Sequence, residues 1–83
     1  MNKMKIKNLI GEVKHFYSRI NVAVVELERQ ISKGDKILIK GSKTNFEQQV
    51  IAMQIEHKDV ENASAGKSIG LRVIEKVREG DKI

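Results

Sequence analysis

The chain has 83 residues, of which 40% are hydrophobic and 33% charged, and its formal net charge is +5. This length suits one domain, and the balance suits a folded globular protein rather than a disordered tail. The sequence contains no Cys, which excludes disulfides, thiolate metal sites and cysteine catalysis. No apolar run approaches the roughly 20 residues that span a bilayer, and the N-terminus lacks an apolar core of signal-peptide length. We therefore expect a cytoplasmic protein.

The first predicted element, residues 12–31, fits two structures. Its apolar residues recur at helical spacing, so an amphipathic helix is possible. Strands are favoured because Val22, Val24 and Val25 are β-branched and crowded. Ser18-Arg19 could form a turn between two strands. Periodicity alone leaves both structures open.

The later segments alternate apolar and polar positions with a period of two, as strands do when one face is buried. The alternating segments are residues 20–25, 36–40, 51–56 and 69–74. The intervening turn signals are Gly34-Asp35, Gly41-Ser42, residues 62–68 and Gly80-Asp81. Several short strands separated by turns predict an all-β sandwich or barrel. With no Pro, repeat or linker, we predict one domain over residues 1–83, with residues 1–7 loosely held.

A series of short motifs resembles the second, β-barrel domain of translational GTPases such as elongation factor Tu. The motifs are, in order, Gly11-Glu12-Val13, residues 33–37, residues 39–41, Val50-Ile51-Ala52-Met53-Gln54, residues 63–71 and residues 77–81. The resemblance covers roughly residues 8–83. It implies a small, closed or nearly closed, antiparallel-rich barrel of about six strands, with residues 12–31 forming two strands joined near Ser18.

The resemblance does not extend to nucleotide chemistry. Gly66-Lys67-Ser68 echoes the end of a phosphate-binding loop, but Glu61 stands where that loop needs its first Gly. In elongation factor Tu the barrel helps to hold the aminoacyl end of tRNA. Gln54, His57 and Ser68 stand at the corresponding positions and differ from that factor's residues, so recognition of the aminoacyl ester is not implied.

Basic and polar side chains supply the predicted binding surface. Lys36 and Lys40 should point outward from one strand, with Lys43 in the next turn, and such residues could contact phosphates. The interspersed acidic residues weaken this hypothesis. The complete set that we predict to contact nucleic acid is Lys14, His15, Lys36, Lys40, Lys43, Gln54, His57 and Arg72.

No catalytic constellation is apparent in the sequence. His15 and His57 lack metal-ligand spacing, and Glu26 and Glu28 fit an exposed strand face better than an acid–base pair. We therefore predict that the protein is not an enzyme and holds no metal, cofactor or nucleotide. The predicted function is a non-catalytic barrel that contacts RNA, such as tRNA or ribosomal RNA, or a ribonucleoprotein through its basic surface. The alternative is a protein-interaction module that docks in trans on a larger enzyme or a translation-related protein, since similar barrels occur as accessory domains.

Overall fold

A computed structural model describes residues 9–83 of the chain, and the prediction for residues 1–7 lies outside this range. Over the described range the chain forms nine strands and no helix. The strands are β1 (Gly11–Tyr17), β2 (Val22–Leu27), β3 (Ile31–Ser32), β4 (Lys36–Lys40), β5 (Asn45–Gln49), β6 (Met53–Ile55), β7 (Lys58–Val60), β8 (Asn62–Ala63) and β9 (Ser68–Arg72). The prediction of an all-β domain is confirmed, and residues 12–31 form two strands rather than a helix.

The strands pair in antiparallel fashion into one large and two small sheets. The large sheet has five strands in the order β1-β2-β9-β6-β7, while β3 pairs with β8 and β4 pairs with β5. Lys82 connects β1 with β4, because it forms bridges with both Glu12 and Lys40. The C-terminal residues therefore join the large sheet to the β4–β5 pair.

The alternation of side chains explains how these strands build a core. In β2 the inward set is Ala23, Val25 and Leu27, so Val22 and Val24 face outward and are only half-buried. A bulge between Val13 and His15 adjusts the register of β1 against β2. The buried apolar residues are Val13, Ala23, Val25, Leu27, Ile31, Ile37, Ile39, Val50, Met53, Ala63, Ile69, Leu71, Val73, Val77 and Ile83.

The expected closed barrel is not found among residues 9–83. Within this range strand β5 pairs only with β4, and a side chain of β5 makes the link to the end of β9 and the residues just after it. The amide nitrogen Nε2 of Gln48 donates to the carbonyl of Arg72 at 2.9 Å, and Oε1 accepts from the backbone N–H of Ile74 at 2.9 Å. Gln48 is buried, with 7% of its surface exposed. The strands thus pack around one core without forming a continuous ring of hydrogen-bonded neighbours.

Two Gly-Asp turns have the same local structure, as the sequence predicts. In the first, Asp35 accepts a bond from the N–H of Ser32 at 2.9 Å, and Gly34 has a φ of +95°. In the second, Asp81 accepts from the N–H of Arg78 at 2.8 Å, and Gly80 has a φ of +92°. Glycine suits both positions because positive φ is unfavourable for residues with a Cβ atom.

Candidate binding surface

The predicted basic surface is interrupted by carboxylates at several of its positions. The Lys14 ammonium lies 3.6 Å from Glu12 and 3.7 Å from Glu26. The Lys36 ammonium lies 3.6 Å from Glu47, which is diagonal to it on the paired strand β5. These pairs are exposed, so each contributes little to stability. They do, however, cancel much of the positive potential that a phosphate would meet at these lysines.

His15 also has a carboxylate partner. Its Nδ1 atom lies 3.2 Å from Oε2 of Glu79. Its ring also packs edge-on against Tyr17, with ring centroids 4.5 Å apart and an interplanar angle of 66°. The position has a carboxylate and an aromatic neighbour, so it does not add a free cation to the predicted surface.

Glu12 lies at the centre of a small charge network. Its Oε1 atom is 3.1 Å from the Lys82 ammonium and 3.6 Å from that of Lys14. The bond from Lys82, followed by the positive charge of Lys14, lowers the pKa of Glu12 from its ordinary value of 4.5. Because the network connects β1 to the last residues of the chain, its position suits a structural role.

The remaining predicted residues fall on separate parts of the molecule. Lys40 ends β4, and Lys43 lies in the turn that leads to β5. Gln54, His57 and Arg72 instead lie on the outer side of the five-stranded sheet, where Gln54 lines a groove with each of the other two. The structure therefore brings together part of the predicted set and leaves the β4 lysines elsewhere.

The strand register places a row of side chains across the outer face of the large sheet. His15 is opposite Val24, Val24 is opposite Gly70, and Gly70 is opposite Gln54. Directly paired residues point to the same side of a sheet. A shorter second row runs from Tyr17 through Val22 to Arg72. Gly70 has no side chain, so the face is lowest at this point.

We call this depression the Gly70 groove. Ile20 and Tyr17 form one wall and are 59% and 50% exposed. Arg19 and Arg72 lie at one end, and the other end, about 310 Å³ in volume, contains His57 and Ser68. The complete lining is Tyr17, Arg19, Ile20, Asn21, Val22, Val24, Ala52, Gln54, Glu56, His57, Asp59, Ser68, Ile69, Gly70 and Arg72.

Tight turns position both walls of the groove. Asn21 has a φ of +55° in the turn that joins β1 to β2, which places Ile20 over the end of the sheet. Glu56 and His57 have φ values of +52° and +68° in the turn that joins β6 to β7. Non-glycine residues adopt this conformation uncommonly. Gln54, His57 and Arg72, which were predicted to contact nucleic acid, line the groove. Ile20 was not singled out, and its apolar side chain in a predicted strand was the available signal.

The described residues offer no site of another kind. Within residues 9–83 there is no group of three or more His, Asp or Glu side chains that could hold a metal ion. The same range contains no helix long and apolar enough to cross a membrane. The Gly70 groove is therefore the main concave feature from which a function can be argued.

Two curated relatives share substantial sequence with the chain, whereas no family model matches it. An uncharacterized protease of Methanocaldococcus jannaschii is 44% identical over 75 residues, which cover 89% of this chain and 18% of the relative. A collagenase of Porphyromonas gingivalis is 37% identical over 79 residues, which cover 93% of this chain and 22% of the relative. The chain thus spans about one-fifth of the length of the curated relatives it matches.

Solved structures define the type of fold. The chain superimposes on the C-terminal domain of a Geobacillus thermoleovorans protein assigned to the U32 peptidases, with a TM-score of 0.87 at 15% identity. The match covers 98% of this chain and 94% of that one. The selenomethionine variant of the same domain gives a TM-score of 0.84 at 17% identity, covering 89% and 94% respectively. The fold is therefore that of a U32 peptidase C-terminal domain.

These comparisons overturn the predicted relationship to translation factors. The relatives are a protease and a collagenase, and the structural neighbours are U32 peptidase domains. The assignment to the translation-factor barrel and the RNA-binding function drawn from it are wrong. The motifs misled because Gly-Asp turns and alternating Ile and Val are needed by many small β-domains.

The prediction that the protein is not an enzyme is also contradicted. It rested on the lack of a catalytic constellation within 83 residues. The relatives named as protease and collagenase are about five times longer than the matched segment. The matched residues make up about one-fifth of each relative, so a search for catalytic residues among them covers only that part of the relative.

Proposed function

We propose that this chain is a protease-associated domain, which serves proteolysis as one part of a U32-type protease. The observation that carries this proposal is the 44% identity to the Methanocaldococcus protease over 89% of the chain. The 37% identity to the Porphyromonas collagenase supports it independently. A cytoplasmic location remains a prediction.

The structure is suited to this role in two respects. Its buried core is drawn from strands along the whole described range, from Val13 to Ile83. Such a unit can fold as a module and be carried by a larger protein. Its outer sheet face also presents apolar side chains to solvent at Ile20 and Tyr17, and exposed apolar surface of this kind is typical of contact sites.

A domain exchange in the Porphyromonas collagenase tests the proposal. Three proteins would be compared: the intact collagenase, a form lacking the matched 79-residue segment, and a chimera carrying residues 9–83 of this chain in its place. Collagen cleavage and thermal unfolding would be measured for each. We expect the deletion to lose most of the activity and the chimera to regain a substantial part of it.

A matched chimera carrying Leu38→Ser controls for surface changes, because Leu38 is exposed on β4 and lies outside the groove. It should cleave collagen as the parent chimera does. The proposal is wrong if the deletion form retains full activity. It is also wrong if a folded chimera is no more active than the deletion form.

A further inference from the structure

The outer face of the five-stranded sheet is unusually apolar near the β1–β2 turn. Ala23 and Val25 of β2 are fully buried, yet Val22 and Val24 on the opposite face are also apolar. Sheets with one solvated face normally carry polar residues there. The neighbouring Ile20 adds to the apolar area, so this face has the composition of a contact surface.

Gly70 gives the apolar face its concave shape. A Cβ atom at this position would lie 3.3 Å from Cγ1 of Val22, and no other atom is close. The glycine is therefore not required by crowding of the backbone, in contrast to Gly11, where a Cβ atom would lie 2.6 Å from the carbonyl oxygen of Glu26. The lack of a side chain at Gly70 leaves room for an extended backbone to lie across β9.

One end of the groove carries two cations without a carboxylate partner in the described part of the chain. Lys14, His15 and Lys36 each have a carboxylate partner. Arg19 and Arg72, which line one end of the groove, form no ion pair within residues 9–83. Asp59, the acidic residue at that end, accepts a bond from the Gln54 amide at 3.0 Å. Two guanidinium groups are thus left to meet an anionic group on a ligand.

The Arg19–Arg72 end of the groove lies away from the junction of the first and last described residues. The carbonyl of Ile83 accepts bonds from the N–H groups of Ile10 and Gly11, at the start of β1. The groove adjoins Tyr17, at the other end of this seven-residue strand, which is roughly 20 Å away at 3.3 Å per residue. The Arg19–Arg72 end is therefore remote from Ile10, Gly11 and Ile83.

We propose that the Gly70 groove binds an extended segment of a substrate polypeptide in which an acidic side chain has apolar neighbours. The apolar side chains would lie over Val22, Val24 and Ile20, and the carboxylate would accept bonds from Arg19 and Arg72. An apolar floor with a few convergent polar groups is typical of ligand sites. This inference rests on the proposed function, since it takes the ligand to be the substrate of a protease.

Peptide binding to the isotopically labelled 83-residue chain tests the inference. The probe is the end-blocked pentapeptide Ala-Val-Glu-Val-Ala, titrated while backbone amide shifts are recorded. We expect weak binding, with a dissociation constant of roughly 0.1–1 mM, and shifts centred on Gly70, Val22 and Arg72. Replacing the peptide's Glu with Lys should weaken binding by at least about tenfold, because that change removes one attraction and adds a repulsion.

Paired variants separate the charged and apolar contributions. Arg72→Gln and Arg19→Gln should each weaken binding about two- to fivefold, as for an exposed ion pair, while Lys33→Gln should have no effect. Ile20→Ser should weaken binding roughly three- to tenfold, while Leu38→Ser on β4 should not. Gly70→Ala should also weaken binding, because the added methyl group fills the floor of the groove.

Three results would overturn the inference: shifts that map away from the groove, equal affinity for the Glu and Lys peptides, or a folded chain that binds neither. Preferential binding of a short single-stranded RNA at the groove, or dimerisation through this face in sedimentation, would also overturn it. Collagen cleavage by the chimera tests the proposed function, whereas peptide binding tests the groove. Failure of one can therefore be told apart from failure of the other.

Discussion

Gln48 offers a direct test of how the β4–β5 pair is attached to the rest of the domain. The change Gln48→Leu keeps a side chain of similar size but replaces its amide with an apolar group. It eliminates the bond to the carbonyl of Arg72 and the bond from the N–H of Ile74, both 2.9 Å long, together with a local bond of 3.1 Å to the carbonyl of the adjacent Gln49. The first two bonds connect β5 to the last residue of β9 and to Ile74 beyond it, so their loss should weaken the whole domain.

The expected loss in free energy of unfolding can be estimated from the two long-range bonds, to Arg72 and from Ile74. A typical intramolecular hydrogen bond contributes about 1 kcal/mol net, which gives about 2 kcal/mol for Gln48→Leu. A domain of this size has a free energy of unfolding of about 4–12 kcal/mol in total. A loss of about 2 kcal/mol should lower the melting temperature by roughly 8–16 °C.

Urea unfolding followed by circular dichroism measures this change directly. Gln49→Leu is the matched control, because Gln49 is exposed on the opposite face of β5, and it should change the free energy of unfolding by less than about 0.5 kcal/mol. If Gln48→Leu also stays within about 0.5 kcal/mol of the wild type, the role assigned to Gln48 is wrong.

Two further predictions concern polar side chains. Among the described residues, the buried hydroxyl of Thr44 has no hydrogen-bond partner, so Thr44→Val should raise the free energy of unfolding by about 1 kcal/mol; a lower value in urea unfolding would contradict this. Glu12 has a lowered pKa because of Lys82 and then Lys14, so its stabilising effect is present above pH 4.5 and is lost as pH falls through the folded-state pKa. The stability difference between wild type and Glu12→Gln should therefore shrink as the pH falls below 4.5 and through the lowered folded-state pKa of Glu12, and a difference that stays constant would refute the assignment.

Much of the fold could be predicted from local patterns. The alternation at residues 36–40 and 69–74 predicted strands that correspond to β4 and β9. Strand β5 was missed because its buried residue is Gln48, and a search for apolar periodicity does not count a buried amide. Strands β3 and β8 have two residues each, which is too short for any periodic signal.

The candidate site was less predictable because charge in a sequence does not reveal pairing. Lys14 and Lys36 were expected to be available, yet each lies near a carboxylate contributed by its own or a neighbouring strand. Arg72 was predicted to contact nucleic acid and lies in the groove, whereas Arg19 was considered only as part of a turn. Which cations remain unpaired depends on strand register, and register is a tertiary property.

The connection between the first and last strand residues has a consequence for how the domain folds. His15 and Glu79 are 64 positions apart yet in contact, and Val13 bonds to the carbonyl of Asp81. Contacts between such distant positions require a large loop to close before they gain any energy. We therefore expect folding on a timescale of roughly milliseconds to seconds, as for other β-rich domains. The β1–β2 hairpin can form early and locally. Its outer strand, β1, gains a second neighbour only when residues 81–83 have folded against it.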